Sequence, residues 1–139
     1  MNLKEENEKK KEYLRRYSQA LKMEQAIEEE IRQLRLDTMM PSVINDGLPH
    51  GSGCRDLSGY AARVDALLED LKGQMEKRLK TRQEIISKIE EMSDETEKLV
   101  LRYRYIHLLK WEEICTRMDY SWRQTHRVHG KALSNFKMA

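Results

Sequence analysis

Cysteine, proline, glycine and phenylalanine are all scarce: the 139 residues hold two, two, six and one of them. Cys54 and Cys115 stand far apart, form no Cys-x-x-Cys pair and fall in different predicted elements, so free reduced thiols are expected, not a disulfide framework. No run of eighteen apolar residues occurs, and the opening MNLKEENEKKKEYL is densely charged. That excludes a membrane-spanning helix and argues against a signal peptide, so the expected compartment is the cytoplasm. With 36% charged residues and a single Phe, one large compact core is not expected; a small domain with an elongated extension fits better.

Catalytic constellations are also missing. His50 and Cys54 have the spacing of a base and a nucleophile, but no orienting third group lies near, and Gly51 and Gly53 read as turn residues. GLPHGSG lacks the Gly-Lys-Ser/Thr ending of a phosphate-binding loop. Glu28, Glu29 and Glu30 are consecutive on a charged helix, where a solvated face is the ordinary outcome. His126 and His129 sit at i, i+3, yet no Cys, Asp or Glu near them in sequence completes a metal site, and a place on a basic helix face explains both better. The expectation is a protein that is not an enzyme and carries no metal or cofactor.

What the sequence does have is helical periodicity. Leu3 to about Asp37 contains no Gly or Pro and is rich in Glu, Lys, Leu and Arg, which favours one long helix. Leu14, Tyr17 and Leu21, then Ala20, Met23, Ile27, Ile31 and Leu34, form a narrow apolar stripe that calls for partner helices. Residues 38–55 hold both prolines and three of the six glycines and read as a loop. Asp56 is available to cap a second long helix running to about Met92. On it Leu57, Tyr60, Val64, Leu67, Leu71, Met75, Leu79, Arg82, Ile85, Ile89 and Met92 recur every three or four residues, a heptad-like seam with Gly73 inside it. The two segments are similar in length, so an antiparallel helical hairpin over 1–92 is expected. Alone it buries little apolar surface, which points to homodimerisation through the Leu57–Met92 seam.

From Ser93 onward the pattern shortens. Ser93 or Asp94 can cap a helix whose first turn carries Glu95 and Glu97, and Leu99, Val100, Tyr103 and Ile106 give it an apolar face. A turn at 107–110 leads to a second short helix, 111–118, with Ile114, Cys115 and Met118 facing inward. Asp119-Tyr120-Ser121 breaks the period, and Ser121 can cap a third helix. Thr125, Val128, Ala132 and Phe136 form its buried stripe, leaving Arg123, Gln124, His126, Arg127 and Lys131 outside. From Trp122 to Ala139 no acidic residue occurs. Residues 99–139 carry eight Lys and Arg against three Asp and Glu, whereas residues 1–98 carry eighteen against twenty-one. The charge is therefore polarised along the chain, and a single-signed helix face in this setting suits phosphates and base edges.

The blocks Thr96-Glu97-x-x-Val100-Leu101-x-x-Arg104-Tyr105, Leu109-x-Trp111-Glu112-Glu113-Ile114, Tyr120-Ser121-x-Arg123-Gln124 and Arg127-Val128-His129-Gly130-Lys131-Ala132-Leu133 resemble region 4 of the bacterial sigma-70 family. They resemble still more the sigma-like C-terminal domain of phage and prophage transcriptional regulators of the ArpU type. The resemblance covers about the last third of the chain. Lys110 stands where such domains usually have a capping Ser or Thr, and Thr125 where they usually have a buried Val.

The expected fold is all-α: a helical hairpin arm, 1–92, followed by a three-helix helix-turn-helix unit, 93–139. The resemblance implies a sequence-specific transcriptional regulator of late phage genes, binding double-stranded DNA as a homodimer, with RNA polymerase as a further partner. In that reading Arg123, Gln124 and Arg127 read bases, Arg102, Arg104, Lys110, Arg117 and Lys131 supply phosphate contacts, and Trp122 and His126 belong to the same DNA-binding set. The alternative is a coiled-coil adaptor whose sigma-like unit binds polymerase or another protein with little DNA contact.

Overall fold

The computed structural model describes residues 2–39 and 57–139; Asp56, Cys54, His50 and most of the expected 38–55 loop lie outside them. The chain is all-α. Helices α1 (Leu3–Leu14) and α2 (Arg16–Met39) replace the single long helix expected, and α3 spans Leu57–Glu90. Then come α4 (Glu95–Leu101), a π-helical segment (Arg102–Ile106), α5 (Trp111–Met118) and α6 (Trp122–Asn135). Helices α2 and α3 pack antiparallel, and α3 runs through Gly73 without interruption.

Which side of α3 meets α2 departs from the apolar count. The residues screened from solvent are Tyr60, Val64, Leu67, Leu71, Gln74, Arg78, Thr81 and Ile85, spaced 4, 3, 4, 3, 4, 3 and 4. This is a strict heptad seam with three polar members. Met75 and Leu79, counted in the expected seam, are instead 39% and 55% exposed, and Arg82 is exposed as well. On α2 the matching seam takes Glu24 where the apolar stripe had Met23, which is 52% exposed. Glu24 and Arg78 meet as an ion pair across the two helices, with side chains 7% and 20% exposed. The Glu24 carboxylate raises the pKa of the Arg78 guanidinium, aided by a hydrogen bond to Tyr17. A charged pair at opposed seam positions fixes the helices in one register, because sliding by a heptad would strand both charges among apolar groups.

The arm and the C-terminal helices share one core. Leu14, Tyr17, Ile85, Ile89 and Met92 from the first part pack with Leu101, Tyr105, Ile106, Ala132, Leu133 and Phe136 from the second. Helix α1 joins α2 at Arg15, which keeps right-handed helical dihedrals, and packs on α6. There Lys10 donates to the carbonyls of Leu133 and Ser134 at 2.8 and 3.2 Å, satisfying acceptors that the end of α6 leaves open. Lys88 donates to the carbonyl of Met138, and Tyr13 packs on Phe136 with ring centroids 5.9 Å apart.

Asp94 caps α4 by accepting from the Glu97 N–H at 3.0 Å. Beyond Leu101 the backbone widens, and the His107 N–H reaches the Arg102 carbonyl five residues back. The extra residue rotates the buried face. Leu101, Tyr105 and Ile106 are inside with Val100, while Tyr103 is half-buried and Leu99 is 39% exposed.

Candidate nucleic-acid interface

Helix α5 ends where Asp119 adopts the left-handed conformation at φ 57°. The Asp119 N–H bonds the Thr116 carbonyl and the Tyr120 N–H bonds the Cys115 carbonyl, a Schellman turn. Asp tolerates this backbone better than most residues because its short polar side chain bonds locally. Two residues later Ser121 caps α6. Its hydroxyl accepts from the Gln124 N–H at 3.1 Å, and the Gln124 Oε1 accepts from the Ser121 N–H at 3.0 Å, a complete capping box. Two short helices joined by three residues are thus locked at both ends of the turn. Lys110 begins α5 with no side-chain cap.

The inward face of α6 is Thr125, His129, Ala132, Leu133 and Phe136. Val128, expected inside, is half-buried, and His129, expected on the basic face, takes its place in the core. Thr125 is fully buried, and its hydroxyl donates to the Ser121 carbonyl at 3.0 Å, so a polar residue sits in the core at no cost in unmet hydrogen bonds. On the opposite face Arg123, Arg127 and Lys131 recur every four residues, all exposed, and no carboxylate lies on the helix.

His129 owes its burial to Tyr105, whose Oη lies 2.8 Å from Nε2 of the imidazole. Burial, reinforced by the positive charges of Lys11, His126, Arg104 and Arg15, pushes the His129 pKa down to about 4. Burial likewise raises Tyr105 to about 12. Both rings are neutral near pH 7, so His129 adds no charge to the basic face of α6.

A ladder of rings runs along one flank. Trp122, 53% exposed, stacks on His126 with centroids 4.4 Å apart. His126 packs at 4.4 Å on Trp111, and the Arg104 guanidinium covers Trp111 at 4.6 Å. Arg104 also donates to the Leu109 carbonyl at 3.1 Å. Trp111 was not among the expected site residues, yet it positions two of them. The signal available in sequence was an aromatic residue opening a short helix, which periodicity alone reads as core.

The remaining expected residues differ in freedom. Arg117 and Lys110 are exposed; the Arg117 guanidinium lies 5.5 Å from the centroid of Tyr103. Arg102 is committed to Glu90, whose carboxyl it holds below the usual range. Gln124 is exposed, but its amide oxygen is held by the capping box, so two hydrogen bonds to one adenine would require opening that box. Among the described residues no group of three His, Cys, Asp or Glu side chains could hold a metal ion, and no helix is long and apolar enough to cross a membrane. Compared with protein-family models, curated proteins and solved structures, the chain matches none.

Proposed function

We propose that this chain is a sequence-specific DNA-binding transcriptional regulator that lays α6 in the major groove of duplex DNA. The observation that carries the reading is the exposed Arg123–Arg127–Lys131 edge on a helix without carboxylates, presented by a short helix pair with a tight, doubly capped turn. Arg123 and Arg127 stand near the start of α6, where guanidinium groups can meet guanine edges, and Lys131 lies further along at the phosphates. Lys110, Arg117 and Arg104 flank α5 and supply further phosphate contacts, whereas Arg102 contributes less because Glu90 holds it. Gln124 acts through its free amide N–H groups and its cap. The resemblance to phage and prophage regulators extends this to control of late phage genes, with RNA polymerase as a further partner.

The same reading includes a homodimer. Leu68, Met75 and Leu79 form an uncovered apolar stripe on α3, spaced 7 and 4. Beside it Asp65 and Glu69 lie toward the N-terminus and Arg82 toward the C-terminus, with Lys72 and Glu76 between them. A second α3 laid antiparallel can set Asp65 of each copy against Arg82 of the other, so a second copy of this chain suits the stripe.

The test is a titration of the full chain against duplexes from upstream regions of its own genome at two salt concentrations. Sequence preference that survives added salt, and that collapses in an Arg123→Ala/Arg127→Ala variant, supports the reading. Equal affinity for all duplexes, vanishing as salt rises, would favour the adaptor alternative.

A further inference from the structure

We propose that the cleft between α2 and the turn after the π-helical segment is a second phosphate site, which grips the backbone of the duplex beyond the reach of α6. The inference rests on the DNA reading above and adds the arm to the interface. The cleft has a volume of about 310 Å³ and is lined by Arg15, Ser18, Gln19, Lys22, Arg104 and Tyr105, together with Leu108. Three of these are cations and none is a carboxylate.

Arg15 and Lys22 are exposed, seven residues apart, and neither makes a side-chain ion pair among the described residues. Ser18 and Gln19 between them offer neutral donors. Arg104 faces them with its guanidinium already oriented by the Leu109 carbonyl and the Trp111 ring, so little rotamer freedom is lost when it meets an anion. Arg15 and Arg104 both act on the Tyr105–His129 pair, which places them around one centre.

The cleft is also continuous with the proposed groove-binding helix. Trp122, His126, Trp111 and Arg104 touch in sequence from the start of α6 to the cleft rim. A free phosphate would gain little from exposed, flexible cations screened by salt. A phosphodiester already held nearby by α6 arrives at high effective concentration, and each neutralised phosphate then releases counterions. The shared chemistry is a phosphate oxyanion; the source assigned is the nucleic-acid backbone.

The experiment measures the affinity of the full chain for its preferred duplex across a salt series, with Arg15→Gln/Lys22→Gln beside the parent. Losing two phosphate contacts should lower the slope of log affinity against log salt by about 1.8, since each contact contributes about 0.9. Affinity should fall alike for preferred and unrelated duplexes. Arg123→Ala, in contrast, should alter sequence preference. An unchanged slope in a variant with parental helicity and melting temperature overturns the cleft while leaving α6 as the reader. Lys22→Gln alone, expected to lower the slope by about 0.9, keeps the test open should the double variant melt early. Inorganic phosphate binding at millimolar concentration to the DNA-free protein, together with an unchanged DNA slope, would make this a free-anion site and also overturn the proposal. No binding of the parent to any duplex refutes the groove reading itself, and the cleft proposal with it.

Discussion

The Oη of Tyr105 and the Nε2 of His129 lie 2.8 Å apart inside the core that joins the π-helical segment to α6. This contact makes the proposed DNA-reading helix depend on a neutral imidazole. A neutral ring can accept the tyrosine proton in its Nε2 lone pair, whereas an imidazolium cannot. Its extra charge would also sit among Lys11, Arg15, Arg104 and His126.

Stability is therefore expected to fall in acid. The folded-state pKa of His129 is about 4, below the ordinary value of 6.5. The stabilisation is complete above pH 6.5, declines as pH falls through 6.5 toward 4, and is exhausted below the folded value. A shift of this size corresponds to a total of about 3 kcal/mol. His129→Gln should lower stability at pH 7 but flatten its change between pH 6.5 and 4. Denaturant titrations of both proteins at several pH values provide the check, and parallel pH profiles would refute the assignment. The carboxyls of Glu8 and Glu90, held low by Lys11 and Arg102, lose their contribution as pH falls below the ordinary carboxylate value of 4.5, and do so in both proteins.

The Glu24–Arg78 pair makes a different prediction. Glu24→Leu strands the Arg78 guanidinium in a mostly buried seam and should cost about 2 kcal/mol. Glu24→Leu/Arg78→Leu should recover most of that loss, because both positions then pack as ordinary seam residues. The double variant is expected to lose register, appearing as more backbone amide signals in an NMR spectrum than the parent shows. A double variant as uniform as the parent would mean that the pair does not select the alignment.

Two glycines inside helices are expected to be improvable. A Cβ at Gly73 or at Gly130 meets nothing within 4 Å, and neither residue has positive φ. Gly73→Ala and Gly130→Ala should each raise stability by about 0.5–1 kcal/mol by lowering the entropy of the unfolded chain. Thermal melts decide this. Gly130 also borders the cationic edge of α6, so a stabilised Gly130→Ala protein with weakened DNA binding would place the duplex close against that backbone.

Self-association is expected to depend on the uncovered flank of α3 and not on the seam that meets α2. Leu79→Glu should leave the melting temperature nearly unchanged, since the side chain is 55% exposed, yet shift the sedimenting mass toward one chain at micromolar concentration. Met23→Glu, on the opposite flank, serves as the control. Asp65→Arg should weaken the dimer and Asp65→Arg/Arg82→Asp should restore it. A parent that is monomeric at every concentration sinks the dimer.

The sequence by itself determined the helical character of the chain, a cap at Ser93 or Asp94, the cap at Ser121, the break at Asp119–Ser121 and the cationic edge of α6. All of these are local: capping and turn chemistry act over three or four residues, and charge patterning needs no partner. The antiparallel hairpin followed from two periodic segments of similar length. Only the tertiary structure decided which stripe of α3 is covered, because Gln74, Arg78 and Thr81 hold seam positions that an apolar count passes over, and Arg78 is tolerable there only opposite Glu24. It also decided that α1 packs on α6, and that the wide turn at Arg102–Ile106 brings Tyr105 to α6. His129 reads as a surface base until Tyr105, twenty-four residues earlier, supplies the partner that makes its burial affordable. The Gln124 amide reads as free until the capping box claims its oxygen. Long-range pairing of polar groups, which the free energy of the whole core enforces and no window of sequence contains, separates the residues that can meet DNA from those that hold the helix in place.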